Sequence, residues 1–171
     1  MTEKNIKAIV YTSNAGSTEQ FAKMAGEQLN LPVYSLKEAK KNLKKGSAVI
    51  YLGWVMAAEI KGYKKAVQLF EVPAVGAVGM AKGESTKTQV AQKNQISEDT
   101  ALFMLQGGFH LEKLHGIYKL MMKLMVKGTI ENLEYKKDKT PEEEDMLDLM
   151  KNGGSRISVE QLEKLINWYK K

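Results

Sequence analysis

The sequence predicts an α/β domain: a five-stranded parallel sheet in the order 2-1-3-4-5, with helices on both faces. Three observations predict it. Short apolar, β-branched runs alternate with helix-patterned segments up to residue 106, as right-handed βαβ units do. The first run feeds a loop of small and hydroxylated residues that opens a helix. The chain has 171 residues, 43% hydrophobic and 27% charged, which suits one domain with a real core.

Residues 6–11 are apolar and β-branched, as a strand buried on both faces should be. The loop 12–18 follows, then a helix with Phe21, Met24, Ala25 and Leu29 at helical spacing. Ser17 with Gln20 three residues on reads as its capping box. Residues 32–35 read as a short second strand and 37–45 as a lysine-rich helix ended by Gly46. Residues 48–53 form a third strand, 62–70 a helix, 74–80 a fourth strand and 101–106 a fifth. In such sheets ligands bind at the carboxyl ends of the strands, where strand order reverses. The site is therefore expected at the loops after strands one, three and four.

The last third has another texture. Residues 109–127 read as one long helix and 128–140 as a polar connector. Thr140 as cap, Pro141 at the first position and four acids at 142–145 open a further helix, which Asn152, Gly153 and Gly154 stop. Ser158 with Gln161 reads as a capping box for a terminal helix carrying Leu162, Leu165, Ile166 and Tyr169 on one face. The reading is one domain over 1–171, with extra helices inserted at 107–154.

Composition excludes several chemistries. The chain has no cysteine, so disulfides, iron–sulfur clusters, zinc–thiolate sites and thiol nucleophiles are absent. Redox chemistry would need a bound organic cofactor. The net charge of +6 suits nucleic acid, an anionic membrane or an acidic partner. Arg156 is the only arginine, and no basic segment is interleaved with aromatics, so no nucleic-acid partner is expected. The charged start of the chain lacks the apolar core of a signal peptide, and no apolar run is long enough to span a bilayer. The expected setting is the cytoplasm.

In the loop Thr12-Ser13-Asn14-Ala15-Gly16-Ser17-Thr18, hydroxyls and free backbone N–H groups meet at a helix N-terminus, which attracts an anion. There is no GxxxxGK[ST] and no GxGxxG, which argues against a nucleotide triphosphatase and a dinucleotide enzyme. The same residues can also make a tight turn with no ligand.

Residues 11–19, Tyr-Thr-Ser-Asn-Ala-Gly-Ser-Thr-Glu, resemble the phosphate loop of the flavodoxin family. Ser13, Gly16 and Thr18 match its hydroxyl-and-glycine pattern, while Ala15 stands where the family usually has a hydroxyl residue. The chain is most similar to the flavodoxin-like group of menaquinone-dependent protoporphyrinogen oxidase. That likeness extends to Gly107-Gly-Phe-His-Leu-Glu-Lys-Leu and Lys119-Leu-Met-Met-Lys. It implies a flavodoxin-like three-layer sandwich and FMN as cofactor. It further implies a quinone acceptor or another redox partner, with protoporphyrinogen as one candidate donor.

The resemblance places Trp54, with Val55, Met56 and Ala57 behind it, along one side of the flavin. Gly79, Met80, Ala81 and Lys82 would form the other wall, where Lys82 either offsets a reduced anionic flavin or simply faces water. An aromatic face would exclude water from a flat ligand, and backbone groups would tune its potential. Trp54 packed on a neighbouring helix is the alternative. His110 and His115 are five apart and off a common helix face, so no metal pair is expected. No residue stands out as an acid–base catalyst.

The helix at 109–127 is apolar over most of its surface. Leu111, Leu114, Ile117, Tyr118, Met121, Met122, Leu124 and Met125 make a broad arc, widened by Leu120 and Val126. Glu112, Gly116, Lys119, Lys123 and Lys127 make a narrow wedge opposite. It is either core, roofed by the segment after it, or a surface for a partner, a quinone or a peripheral membrane contact. The functional expectation is an FMN-binding flavoprotein in electron transfer or oxidoreduction. A plain flavodoxin shuttle and a flavin-free interaction module are the alternatives, the first disfavoured by the basic charge and the second supported by Ala15.

Overall fold

The first apolar run becomes β1 (Ala8–Thr12), and its side chains alternate between the two faces of the sheet. Our computed structural model describes residues 4–171; residues 1–3, part of the charged start noted above, lie outside the described residues. After β1 come α1 (Ser17–Leu29), β2 (Val33–Ser35), α2 (Leu36–Asn42), β3 (Ala48–Met56) and β4 (Glu59–Ile60). Then follow α3 (Tyr63–Leu69), β5 (Glu71–Gly79), α4 (Glu84–Asn94) and β6 (Ala101–Gln106). The last third holds β7 (Gly108–Phe109), α5 (Gly116–Tyr135), α6 (Pro141–Asn152), β8 (Gly154–Ser155) and α7 (Glu163–Lys170).

Neighbouring strands pair in the order β2-β1-β3-β5-β6, all parallel, with β4 folded back antiparallel on β3. This is the flavodoxin-like order expected from the sequence, with one hairpin strand added. Ile9, Ile50, Leu52 and Leu105 face α1, α7 and the 3₁₀ turn before α7, where Phe21, Ala25, Leu162 and Leu165 cover them. Val10, Val49, Tyr51 and Val75 face the other way, under Ala39, Ala66 and Val90 of α2, α3 and α4. The result is a three-layer sandwich. A third cluster, Met56, Phe109, Leu114, Met122, Val126, Leu149 and Met150, fastens the inserted helices to the carboxyl end of the sheet.

Several local expectations give way to tertiary contacts. The helix expected at 109–127 begins only at Gly116, whose φ is +59°. Ahead of it, Gly108–Phe109 pairs antiparallel with Gly154–Ser155. The helix then runs on to Tyr135, through what read as a polar connector. Its core-facing row Met122, Val126, Ile130 and Leu133 continues at helical spacing, and polar residues on the other faces hid that continuity.

The Ser17–Gln20 capping box does not form: Gly16 is the N-cap, without a side-chain cap. The Ser158–Gln161 box does not form either, and a 3₁₀ turn occupies Val159–Leu162. A capping box forms instead at Ser35 and Glu38, so α2 starts at Leu36 and ends before Gly46. Strand β3 outruns residue 53 because β4 pairs with its end, and the turn lies at Ala57 and Ala58, both with positive φ.

Strand β6 is an edge, and Gln161 finishes it. The Gln106 N–H donates to Gln161 Oε1 at 2.8 Å, and Gln161 Nε2 donates to the Gln106 carbonyl at 2.9 Å. The Gln106 side chain donates to Asp145 of α6 and to the Met80 carbonyl. Arg156 Nε donates to the other Asp145 oxygen at 3.1 Å.

The Gln106 hydrogen bond, and after it the Arg156 guanidinium, hold the Asp145 carboxyl below its ordinary value of 3.8. A lowered folded-state value means stability that is present above the unfolded value and is lost as pH falls through the folded one. Asp145→Asn is expected to reduce stability at neutral pH and to flatten the acid decline below about pH 4. Urea unfolding across pH measures both, and an unchanged acid limb would remove Asp145 as the strap.

Candidate functional site

The parallel strands deliver their carboxyl ends to one rim, so the loop 13–16, β3, β5 and residues 107–110 converge there. The loop after β1 closes on itself. The Gly16 N–H donates to Ser13 Oγ at 3.2 Å, and Gly16 takes φ +101°, a conformation L side chains rarely adopt. Gly16 has no side chain to cap the helix, so the first-turn N–H groups of Ser17, Thr18 and Glu19 face the rim without helical partners. The helix dipole adds partial positive charge at the same point.

Ser17 Oγ accepts from the Gly108 N–H at 3.1 Å, which draws the chain after β6 against the loop. An added Cβ at Gly108 would stand 2.8 Å from the Gly154 carbonyl, so this approach needs glycine. Thr18 is 1% exposed, and its Oγ1 is the only buried side-chain polar atom without a hydrogen-bond partner among the described residues. An unpaired buried hydroxyl costs about 1–3 kcal/mol. A free hydroxyl beside free helix N–H groups is a donor set suited to a phosphate.

Next to this cradle lies an apolar cavity. Trp54 and Val55 of β3 and, beside them in the sheet, Val78, Gly79 and Met80 at the end of β5 line it, together with Gly107 and Gly108. Leu114 and Met122 roof it, with Phe109 and His110 at the margin. The Trp54 ring meets Tyr118 of α5 edge to face, centroids 5.3 Å apart and planes at 89°. Lys61 Nζ stands 5.4 Å from the Tyr118 ring and is paired with Glu59 at 2.9 Å. The hollow is partly open to solvent, and the space beneath its cover is small, ≈ 60 Å³. The donors of the cradle suit a phosphate group, and Leu114 and Met122 cover the apolar hollow beside it.

Of the residues expected from the sequence, Ser13, Asn14, Ala15, Ser17, Thr18, Trp54, Val55, Gly79 and Met80 line this cavity. Thr12 lies behind it: its hydroxyl shares a 2.7 Å hydrogen bond with Tyr51, which donates at 2.7 Å to the Lys61 carbonyl. Burial raises the Tyr51 pKa, so that phenol stays neutral. Gly16 contributes as the N-cap and borders a neighbouring cleft. Met56 is buried in the third cluster, and Ala57 is an exposed turn residue. Ala81 and Lys82 face a separate hollow beside Glu142, Asp145 and Arg156. Among the described residues no group of His, Asp or Glu could hold a metal ion.

Sequence reasoning did not select Gly107 to His110, Leu114 or Met122 as site residues. Two glycines at the carboxyl end of a strand were the signal for the first; for Leu114 and Met122 it was the broad apolar arc of 109–127, which did not tell which of its residues reach the rim. Compared with models of protein families, with curated proteins and with solved structures, the chain matches none.

The orphaned hydroxyl can be tested without any ligand. Thr18→Val keeps the shape and removes the unpaired group, so the free protein should gain about 1 kcal/mol in stability. Denaturant unfolding reads this, and a loss of stability would mean that the hydroxyl already has a partner.

Proposed function

We propose that the chain is an FMN-binding flavoprotein acting in electron transfer or oxidoreduction. The observation that carries the reading is the Thr18 hydroxyl, buried and unpaired beside the uncapped start of α1. In this reading Ser13, Ser17 and Thr18 hold the phosphate with the N–H groups of the first turn. Trp54, Val55, Gly79 and Met80 border the ring, and Gly107 and Gly108 allow close backbone approach. FMN, when bound, supplies one- and two-electron chemistry. The chain's own task is to bind, orient and keep water away. No side chain in the cavity wall is assigned a proton-transfer role.

The finer version, a quinone-linked and protoporphyrinogen-oxidase-like activity, rests on the resemblance in the loop and in residues 107–123. The apolar, methionine-containing roof is compatible with a hydrophobic acceptor. One observation favours a second reading, a flavin-free interaction module: Leu114 and Met122 cover the hollow that a ring would have to enter.

Calorimetric titration separates the two. FMN is expected to bind on the order of a hundredfold tighter than riboflavin, since the phosphate gains several charge-assisted hydrogen bonds. Thr18→Val should weaken FMN and leave riboflavin nearly unchanged. Equal affinities for both ligands would end the phosphate assignment, and no binding of either would favour the module.

Trp54 gives an independent optical test. With Trp168 replaced by phenylalanine, FMN should quench the remaining tryptophan emission. Unchanged emission in the loaded protein would move the ring away from Trp54.

A further inference from the structure

Helix α5 has two apolar faces. The inner one, Met122, Val126 and Leu133, is buried against the inserted segment and the rim of the sheet. The outer one is bare: Ile117 is 69% exposed, Leu120 59% and Leu124 66%. These three lie at i, i+3 and i+7 and form one stripe, with Met121 and Met125 beside it. Single exposed leucines are ordinary on a protein surface, but a contiguous stripe of this kind marks an interaction site.

The charge pattern identifies the occupant. Lys119, Lys123 and Lys127 are spaced by four, so they form one row along the flank between the two faces. From residue 113 to residue 130 there are four lysines and no acid. Two copies meeting through this face would bring these lysine rows together, and like charges oppose that contact. An anionic lipid surface complements both features at once. The stripe would enter the acyl boundary, while the lysines reach the headgroups on flexible stems. Among the described residues no helix is long and apolar enough to cross a membrane, so the mode is in-plane.

We propose that the outer face of α5 docks this protein on an anionic bilayer surface. The proposal does not rest on the FMN reading. It has a consequence for the cavity, since Met122 of the same helix roofs it and Tyr118 covers Trp54. Docking places that roof within one helix diameter, about 10 Å, of the lipid.

Flotation of the purified protein with vesicles tests it. Vesicles of equal parts phosphatidylglycerol and phosphatidylcholine should bind it at low salt, progressively less as salt rises. Phosphatidylcholine vesicles should bind it weakly. Lys119→Gln, Lys123→Gln and Lys127→Gln together should lower partitioning on the order of a hundredfold. Ile117→Gln, Leu120→Gln and Leu124→Gln together should abolish it while circular dichroism stays unchanged, because these side chains support no core contact. No binding by the folded wild type at low salt would overturn the proposal. So would equal binding by the apolar-stripe variant, which would reduce the effect to net charge. A dimer in sedimentation that this variant dissolves would reassign the face to a second copy.

Discussion

The open edge of β6 is the constraint on which the last third of the molecule depends. An edge strand presents N–H and C=O groups with no neighbour. At Gln106 the Gln161 side-chain amide takes a strand's place, donating to the carbonyl and accepting from the N–H. This frees the Gln106 side chain to reach back to Met80 and across to Asp145. One residue thus ties together the sheet end, the helix α6 and the segment leading into α7. Each bond contributes only about 0.5–1.5 kcal/mol, but leaving any buried partner unpaired costs more. With α6 fixed, Leu149 and Met150 can pack on Phe109, Leu114 and Met122, and the roof over the rim follows.

Local rules yield where the chain meets the candidate site. Ser17 would be an ordinary helix cap, yet its hydroxyl serves Gly108 and the cap position falls to Gly16. Thr18 keeps a buried hydroxyl without a partner in a fold that satisfies its other buried side-chain polar atoms among the described residues. Departures of this kind are expected where function competes with stability. Asn94 is a useful contrast. It is also buried and polar, but its amide is fully engaged, accepting from the Ile60 N–H and donating to the Ala58 and Val90 carbonyls. It fixes the β4 turn, so its role is structural.

Helix α5 joins the two proposals physically. Its inner row belongs to the third cluster, and its outer stripe has no cover. Any force on the outer stripe acts through the same rigid element that supplies Met122 to the cavity roof and Tyr118 to Trp54. A surface contact and access to the cavity are therefore mechanically adjacent, whichever small molecule occupies the site.

The sequence by itself determined the layered architecture, because strands buried on both faces must be continuously apolar and helices between them must carry a stripe. It also placed Ser13, Ser17, Thr18, Trp54, Gly79 and Met80 at one rim, since parallel strands put their carboxyl ends together. Tertiary structure alone decided the rest. Thr12 turns away from the cavity because Tyr51, 39 positions along the chain, holds its hydroxyl. Met56 is core because β4 returns on β3, and Lys82 faces another hollow because α6 passes beside it. The breadth of the apolar arc on residues 109–127 was legible, but its division into a buried row and a bare stripe was not. Periodicity records how apolar a face is; only the packing of distant segments determines which part of that face is covered.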